Sequence, residues 1–205
     1  MKILLISGNS GVGKSSIASL LCNDKRYNLI KSYTTRPHRS FESDHFFVSN
    51  DEMKDLLIKH RCVASTCIDG YYYCSFEHQF DPEKINVYVV DLPGIKDTIA
   101  AFPSESFMTV LITRKNVDID QTRKNRNIDV PSRNQVDFMI ENDSDSIRSS
   151  VGVLQFLTLN NDGAYFKNAR RTILSVQEEI EEHEDAIKRH QMEISKLQEL
   201  LNVYS

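Results

Sequence analysis

Lys2-Ile3-Leu4-Leu5-Ile6-Ser7-Gly8-Asn9-Ser10-Gly11-Val12-Gly13-Lys14-Ser15 is the stretch whose reading decides the fold. Its first half is apolar without alternation, which predicts a strand over residues 2–7 buried on both faces. Its second half satisfies G-x-x-x-x-G-K-S/T, a phosphate-binding loop. That motif works only between a buried strand and a helix. The sequence provides the helix over residues 14–23, with Ile17, Leu20 and Leu21 on one side. Glycines let backbone N–H groups turn inward around phosphate oxygens, and the helix N-terminus adds its positive end. Gly8, Asn9, Ser10, Gly11, Val12, Gly13, Lys14, Ser15 and Ser16 are therefore the candidate ATP-binding residues. Lys14 is expected to bridge the β- and γ-phosphates, and Ser15 to sit on Mg²⁺ directly or through water. The bland alternative, a Gly-rich turn without a ligand, fits this context poorly.

Outward from the loop, residues 87–91, 108–113 and 138–140 also read as buried strands. Residues 51–60 read as a helix starting at a Ser49/Asn50 cap and burying Met53, Leu56 and Leu57. Strands alternating with helices predict an α/β fold with a mainly parallel sheet. The apolar run 87–91 ends in Asp91, a carboxylate placed to hold the magnesium shell.

The chain has 205 residues, 40% hydrophobic and 26% charged, with a net charge of −4 and a pI of about 5.9. That size suits one globular domain with an appendage. The absence of a basic excess argues against a bulk nucleic-acid or membrane-surface binder. The N-terminal apolar run is too short for a signal segment and no later stretch is long enough to span a bilayer, so a cytoplasmic location is expected. There Cys22, Cys62, Cys67 and Cys74 are expected to be reduced, as buried or half-buried small hydrophobes. The last three read C-x4-C-x6-C, which is not a usual zinc spacing.

Ser32-Tyr33-Thr34-Thr35-Arg36-Pro37-His38-Arg39 combines hydroxyls with two arginines three apart, and guanidinium forks match phosphate bidentately. By chemistry alone it is a phosphate clamp or two solvated arginines. This segment, followed by Glu42 and Asp44-His45-Phe46-Phe47-Val48-Ser49, resembles the monophosphate-binding segment of guanylate kinases. Gly70-Tyr71-Tyr72-Tyr73-Cys74-Ser75 resembles the family's G-N-Y-Y-G-S/T. Val90-Asp91-Leu92-Pro93-Gly94 resembles its I-D-x-x-G, and Ile140-Glu141-Asn142-Asp143 its V-x-N-D, all in family order.

The resemblance covers residues 1–158. It implies a P-loop kinase fold with a parallel sheet flanked by helices, a small monophosphate-binding subdomain over about residues 32–86 and a short lid over about residues 114–135. It further implies transfer of the γ-phosphate of Mg·ATP to GMP, dGMP or a related nucleoside monophosphate. Ser32, Arg36, Arg39, His45, Tyr73, Ser75 and Asp91 become the acceptor-side candidates. Arg123, Arg126 and Arg133 are the lid arginines that would join Lys14, Arg36 and Arg39 at the transferring phosphoryl group.

The departures from the family cluster on the acceptor side. His45 stands where the family has a phosphate-binding Tyr, and the loop before Asp44 is about three residues short. The positions of the two carboxylates that read guanine hold Ala64 and Val89. A site that loses polar readers changes or weakens its base choice. Two alternatives therefore stand beside the nucleotide kinase: a kinase for another phosphorylated small molecule, and a non-catalytic guanylate kinase-like interaction module.

Asn160-Asn161-Asp162-Gly163 reads as a turn or linker. Residues 164–205 hold neither Gly nor Pro, and predict a long amphipathic helix. Ile173, Ile180, Ile187, Ile194 and Leu201 fall at heptad a, and Val176, His183, His190 and Leu197 at d. The narrow seam favours a coiled coil, hence a homodimer, over a helix folded back on its own domain. His183 and His190 would loosen that seam as they protonate near pH 6.5.

Overall fold

A computed structural model describes residues 1–38, 44–115, 129–142, 147–160 and 164–168. The chain divides into two units, 1–169 and 170–205, and all described residues lie in the first. The predicted coiled coil, with His183 and His190, lies outside the described residues.

The main sheet runs β2 (Tyr27–Ile30), β7 (Ile85–Val89), β1 (Lys2–Ser7), β8 (Ser106–Thr113), β9 (Phe138–Glu141), all parallel. The two-residue β10 (Lys167–Asn168) adds antiparallel to the start of β8. Ile3, Leu4, Leu5 and Ile6 of the central strand are fully buried. Burial of such side chains contributes roughly 1.5–3 kcal/mol each. Their alternation sends Leu4 and Ile6 to one face, against α1 (Lys14–Leu21) and α4 (Ile147–Leu159). It sends Ile3 and Leu5 to the other, against α3 (Leu92–Ala101) and Val63 and Ala64 of β5 (Cys62–Ile68).

A second, four-stranded sheet has the order β4 (Phe46–Phe47), β3 (Tyr33–Thr34), β6 (Tyr71–Phe76), β5 (Cys62–Ile68). Helix α2 (Asn50–Lys59) packs Met53 against Cys74 and Phe76 of this sheet. As the sequence predicts, Ser49 caps α2. It accepts a hydrogen bond from the Glu52 N–H, while Glu52 Oε2 accepts one from the Ser49 N–H.

Four expectations need correction. Strand β7 begins and ends two residues earlier than predicted. Asn86 hid its start, being polar yet fully buried, with its amide group serving Lys2, Asp81 and Lys84 carbonyls. Asp91 leaves the strand to cap α3, its Oδ1 accepting from the Gly94 N–H at 2.9 Å. Leu20 and Leu57 are exposed, because α1 already fills its core contact with Ile17, Ala18 and Leu21, and α2 meets a sheet small enough for Met53 to cover. Cys67 is exposed near the tip of the β5–β6 hairpin, whereas Cys74 is buried and its Sγ lies 2.7 Å from that of Cys62. Residues 164–168, expected to open the long helix, form a turn and β10, where Phe166 and Tyr165 pack on the core. Among the described residues no helix is long and apolar enough to cross a membrane.

Candidate active site

The phosphate loop sits at the carboxyl end of β1, where parallel sheets place their ligands. Its shape depends on two glycines. At Gly8, φ is +144° and a Cβ would stand 2.2 Å from the Ile112 carbonyl oxygen. At Gly13, φ is +96° and a Cβ would stand 2.5 Å from Asn142 Nδ2. Asn142 therefore closes on the loop from behind. Its Nδ2 donates to the Val12 carbonyl at 2.7 Å, and its Oδ1 accepts from Ser150 Oγ at 3.2 Å. Both residues are buried, so α4 and the end of β9 fix the loop through one amide.

Lys14 curls back over the loop and donates to the Gly8 and Asn9 carbonyls, both at 2.7 Å. Burial lowers its pKa to about 8. A triphosphate would give this ammonium a far stronger partner than two neutral carbonyls. Ser15 opens α1 with its side chain exposed, 3.4 Å from Asp44 Oδ2. Asp91 lines the same cleft with its carboxylate held by the α3 cap. Hydroxyl and carboxylate oxygens are the hard donors that magnesium takes, so Ser15, Asp44 and Asp91 fit it.

The cleft encloses about 830 Å³ and runs from the loop to the second sheet. Arg36 is buried on its wall. Its Nε donates to the Tyr73 hydroxyl at 3.1 Å, its Nη1 to the Pro37 carbonyl at 3.2 Å, and its guanidinium lies 5.3 Å from the Phe47 ring centre. His45 packs edge-on to Tyr73, with its Nε2 3.9 Å from Asp44 Oδ2. Also on the cleft wall, Ser32 Oγ lies 3.2 Å from the Tyr88 hydroxyl. Burial pushes the Tyr88 phenol up to about 12, against smaller opposing effects of Ser32 and Ser75. The phenol is thus neutral. Ala64 and Val89 also line the cleft, Ala64 packing in the same core cluster as Tyr88 and Val89 in the one on the other face of the sheet.

The structure thus brings Gly8, Ser10, Gly11, Gly13, Lys14, Ser15, Ser16, Ser32, Arg36, His45, Tyr73 and Asp91 to one cleft. Asn9 and Val12 belong to the loop without lining the cleft. Ser75 is fully buried, pairs across the hairpin with Ala64, and is not on the cleft wall. It influences the Tyr88 phenol but makes no hydrogen bond of ordinary geometry. Arg133 also lies off the cleft wall, donating weakly to the Val136 carbonyl at 3.5 Å. Arg39, Arg123 and Arg126 lie outside the described residues. Sequence reasoning missed Tyr88, Asp44 and the role of Asn142. Tyr88 reads only as one more apolar residue in a buried strand, and Asn142 only as part of a motif.

The guanylate kinase family model matches residues 1–144. The chain belongs to the guanylate kinase family. The guanylate kinase of Prochlorococcus marinus is 28% identical over 164 residues, spanning 69% of this chain and 89% of that one. That of Campylobacter jejuni is 29% identical over 182 residues, spanning 84% and 87%. The crystal structure of guanylate kinase from Anaplasma phagocytophilum superposes with a TM-score of 0.58, covering 78% of this chain and 87% of that one. At 17% identity it speaks for the fold alone. The P-loop kinase fold and the class of phosphotransferase read from the sequence therefore stand.

Proposed function

We propose that the protein transfers the γ-phosphate of ATP to GMP, dGMP or a closely related nucleoside monophosphate. The observation that supports this best is one continuous cleft with a phosphate loop at one end and a buried arginine clamp at the other. The alternatives, a kinase for another phosphorylated small molecule and a non-catalytic module, are not favoured by the family membership or by the intact loop.

In this reading the loop N–H groups and Lys14 hold the β- and γ-phosphates. Arg36, oriented by Tyr73, holds the acceptor phosphate, with Arg39 assigned to the same phosphate from its place in the motif and His45 as a further donor. An acceptor phosphate oxygen, already anionic, attacks the γ-phosphorus in line. The bond to the β–γ bridging oxygen breaks, and ADP leaves with its negative charge. No strong base is required, so catalysis rests on positioning and charge neutralisation. Ser15, Asp91 and Asp44 are the residues that would hold magnesium, whose chemistry is to neutralise charge between the β- and γ-oxygens. Arg123, Arg126 and Arg133 are assigned to the lid over residues 114–135. Enclosure of the reacting groups would keep water from taking the phosphoryl group.

We further assign residues 1–158 to the catalytic domain and the C-terminal heptads to a homodimer seam, in a cytoplasmic enzyme that needs no nucleic acid or membrane. The test is ADP formation with magnesium across the ribo- and deoxyribonucleoside monophosphates and without acceptor. Acceptor-dependent turnover is expected. ATP binding with no turnover on any nucleotide would overturn the reading.

A further inference from the structure

The second sheet carries a pair of thiols that phosphoryl transfer does not use. Cys62 opens β5 and Cys74 lies within β6, both packed in the cluster that Met53 of α2 covers. Cys62 stands opposite Phe76, and Cys74 opposite Ser65. In a regular ladder such diagonal neighbours lie roughly 7–8 Å apart, too far for a disulfide. The register slips between Cys62 and Ala64, leaving Val63 as an extra residue. An extra residue bends the strand that holds it. Here the two Sγ atoms stand 2.7 Å apart, so a bond of about 2.05 Å needs only a small side-chain turn. Among the described residues no group of three or more His, Cys, Asp or Glu is placed to hold a metal ion, so the pair is not half of a zinc site.

The two thiols have unequal surroundings. Cys62 is half-buried and open to a small oxidant, whereas Cys74 is buried. The contact with Cys74 holds the Cys62 thiol below its ordinary range, against the opposing effect of burial. The same contact, together with burial, pushes the Cys74 thiol up. The thiolate is the nucleophilic form, so Cys62 is the attacking sulfur and Cys74 the resolving one. Cys22 is unlike both, since burial pushes its thiol up to about 11.

We propose that Cys62 and Cys74 are a reversible modification site, a dithiol that hydrogen peroxide oxidises to a disulfide across the β5–β6 hairpin. The Cys62 sulfur attacks one peroxide oxygen and the O–O bond breaks. Cys62 becomes a sulfenic acid, and the other oxygen leaves as hydroxide, which the Cys62 proton turns to water. The Cys74 sulfur then attacks the Cys62 sulfur. The S–S bond forms, the S–O bond breaks, and the departing hydroxide takes the Cys74 proton. The two sulfurs lose two electrons, and one peroxide becomes two waters. Exchange with a thiol such as glutathione restores the pair, so in a reducing compartment the bond is transient.

The test treats the full chain with hydrogen peroxide, counts free thiols and maps the bonds by mass spectrometry without reduction. Free thiols are expected to fall from four to two, with the Cys62 and Cys74 peptides joined and Cys22 and Cys67 free. Dithiothreitol is expected to restore all four. Cys67→Ser is expected to form the same bond. In Cys74→Ser, oxidation is expected to stop at a Cys62 sulfenic acid, which dimedone traps. If that variant fails to fold, the map of the wild type decides alone. A folded protein that keeps four free thiols in peroxide overturns the proposal. So does a product linked through Cys67, a dimedone label on Cys22 or Cys67 in place of Cys62, or a Cys62–Cys74 bond no more frequent in the folded protein than in urea.

Discussion

The two ends of the cleft are built on opposite terms. The donor end is made of backbone, and each of its requirements is visible in the sequence: two glycines whose neighbours leave no room for a Cβ, one lysine, one serine, and a helix that starts on them. The acceptor end is made of side chains from several strands. There the proposed function gives the phosphate clamp to Arg36, hydrogen-bonded to Tyr73, while Ala64, Val89 and Tyr88 line the cleft without a carboxylate among them. Phosphate chemistry is common to every acceptor and tolerates little change. Base recognition is a matter of a few hydrogen bonds and can be rewritten without disturbing the transfer.

The comparison predicts the strongest effect at Lys14. Lys14→Ala is expected to lower kcat by about a thousandfold, the scale seen when a preorganised charge-stabilising group is removed, with an unfolding midpoint no lower than that of the wild type. Near-normal turnover would break the assignment of the donor end. Arg36→Ala is expected to raise the acceptor KM by about ten- to a hundredfold, as loss of a charged hydrogen-bonding partner does, and to leave ATP binding unchanged. Equal damage to both substrates would mean that the two ends are not separable.

A third outcome concerns pH. The Lys14 pKa, lowered to about 8 by burial, means that the free protein loses this charge as pH rises through 8. Bound triphosphate favours the charged form and raises the pKa, so binding takes up a proton above pH 8. Calorimetric titration at pH 7 and pH 9 is expected to show ATP affinity about tenfold weaker at pH 9, because only about one molecule in ten still carries the charge. The same lowered pKa means that the lysine opposes folding below pH 8 and ceases to do so between pH 8 and 10.5. A last effect, on stability rather than turnover, belongs to the support behind the loop. Asn142→Ala leaves the Val12 carbonyl and Ser150 hydroxyl without their buried partner, and denaturant titration is expected to show a loss of about 1–3 kcal/mol.

The sequence was most legible where local chemistry dictates structure. Lys2–Ser7, the loop after it and the Ser49 cap follow from patterns within a few residues, and the mainly parallel sheet from strands alternating with helices. It was least legible where distant segments meet. Asn86 disguised the start of β7 because its polar group is satisfied by backbone that only the fold brings near. Ser75 reads as a ligand contact from its motif, yet lies off the cleft wall and acts on Tyr88, a residue 13 positions on in a different sheet. Nothing local to Tyr88 announces that its hydroxyl reaches Ser32.

The measurement closest to the central claim is the fate of the label when ATP carrying a labelled γ-phosphate is turned over with magnesium and GMP. The account predicts label in the β-phosphate of GDP, one for each ADP formed, and little labelled inorganic phosphate. Label released only as inorganic phosphate, at a rate indifferent to GMP, would contradict it.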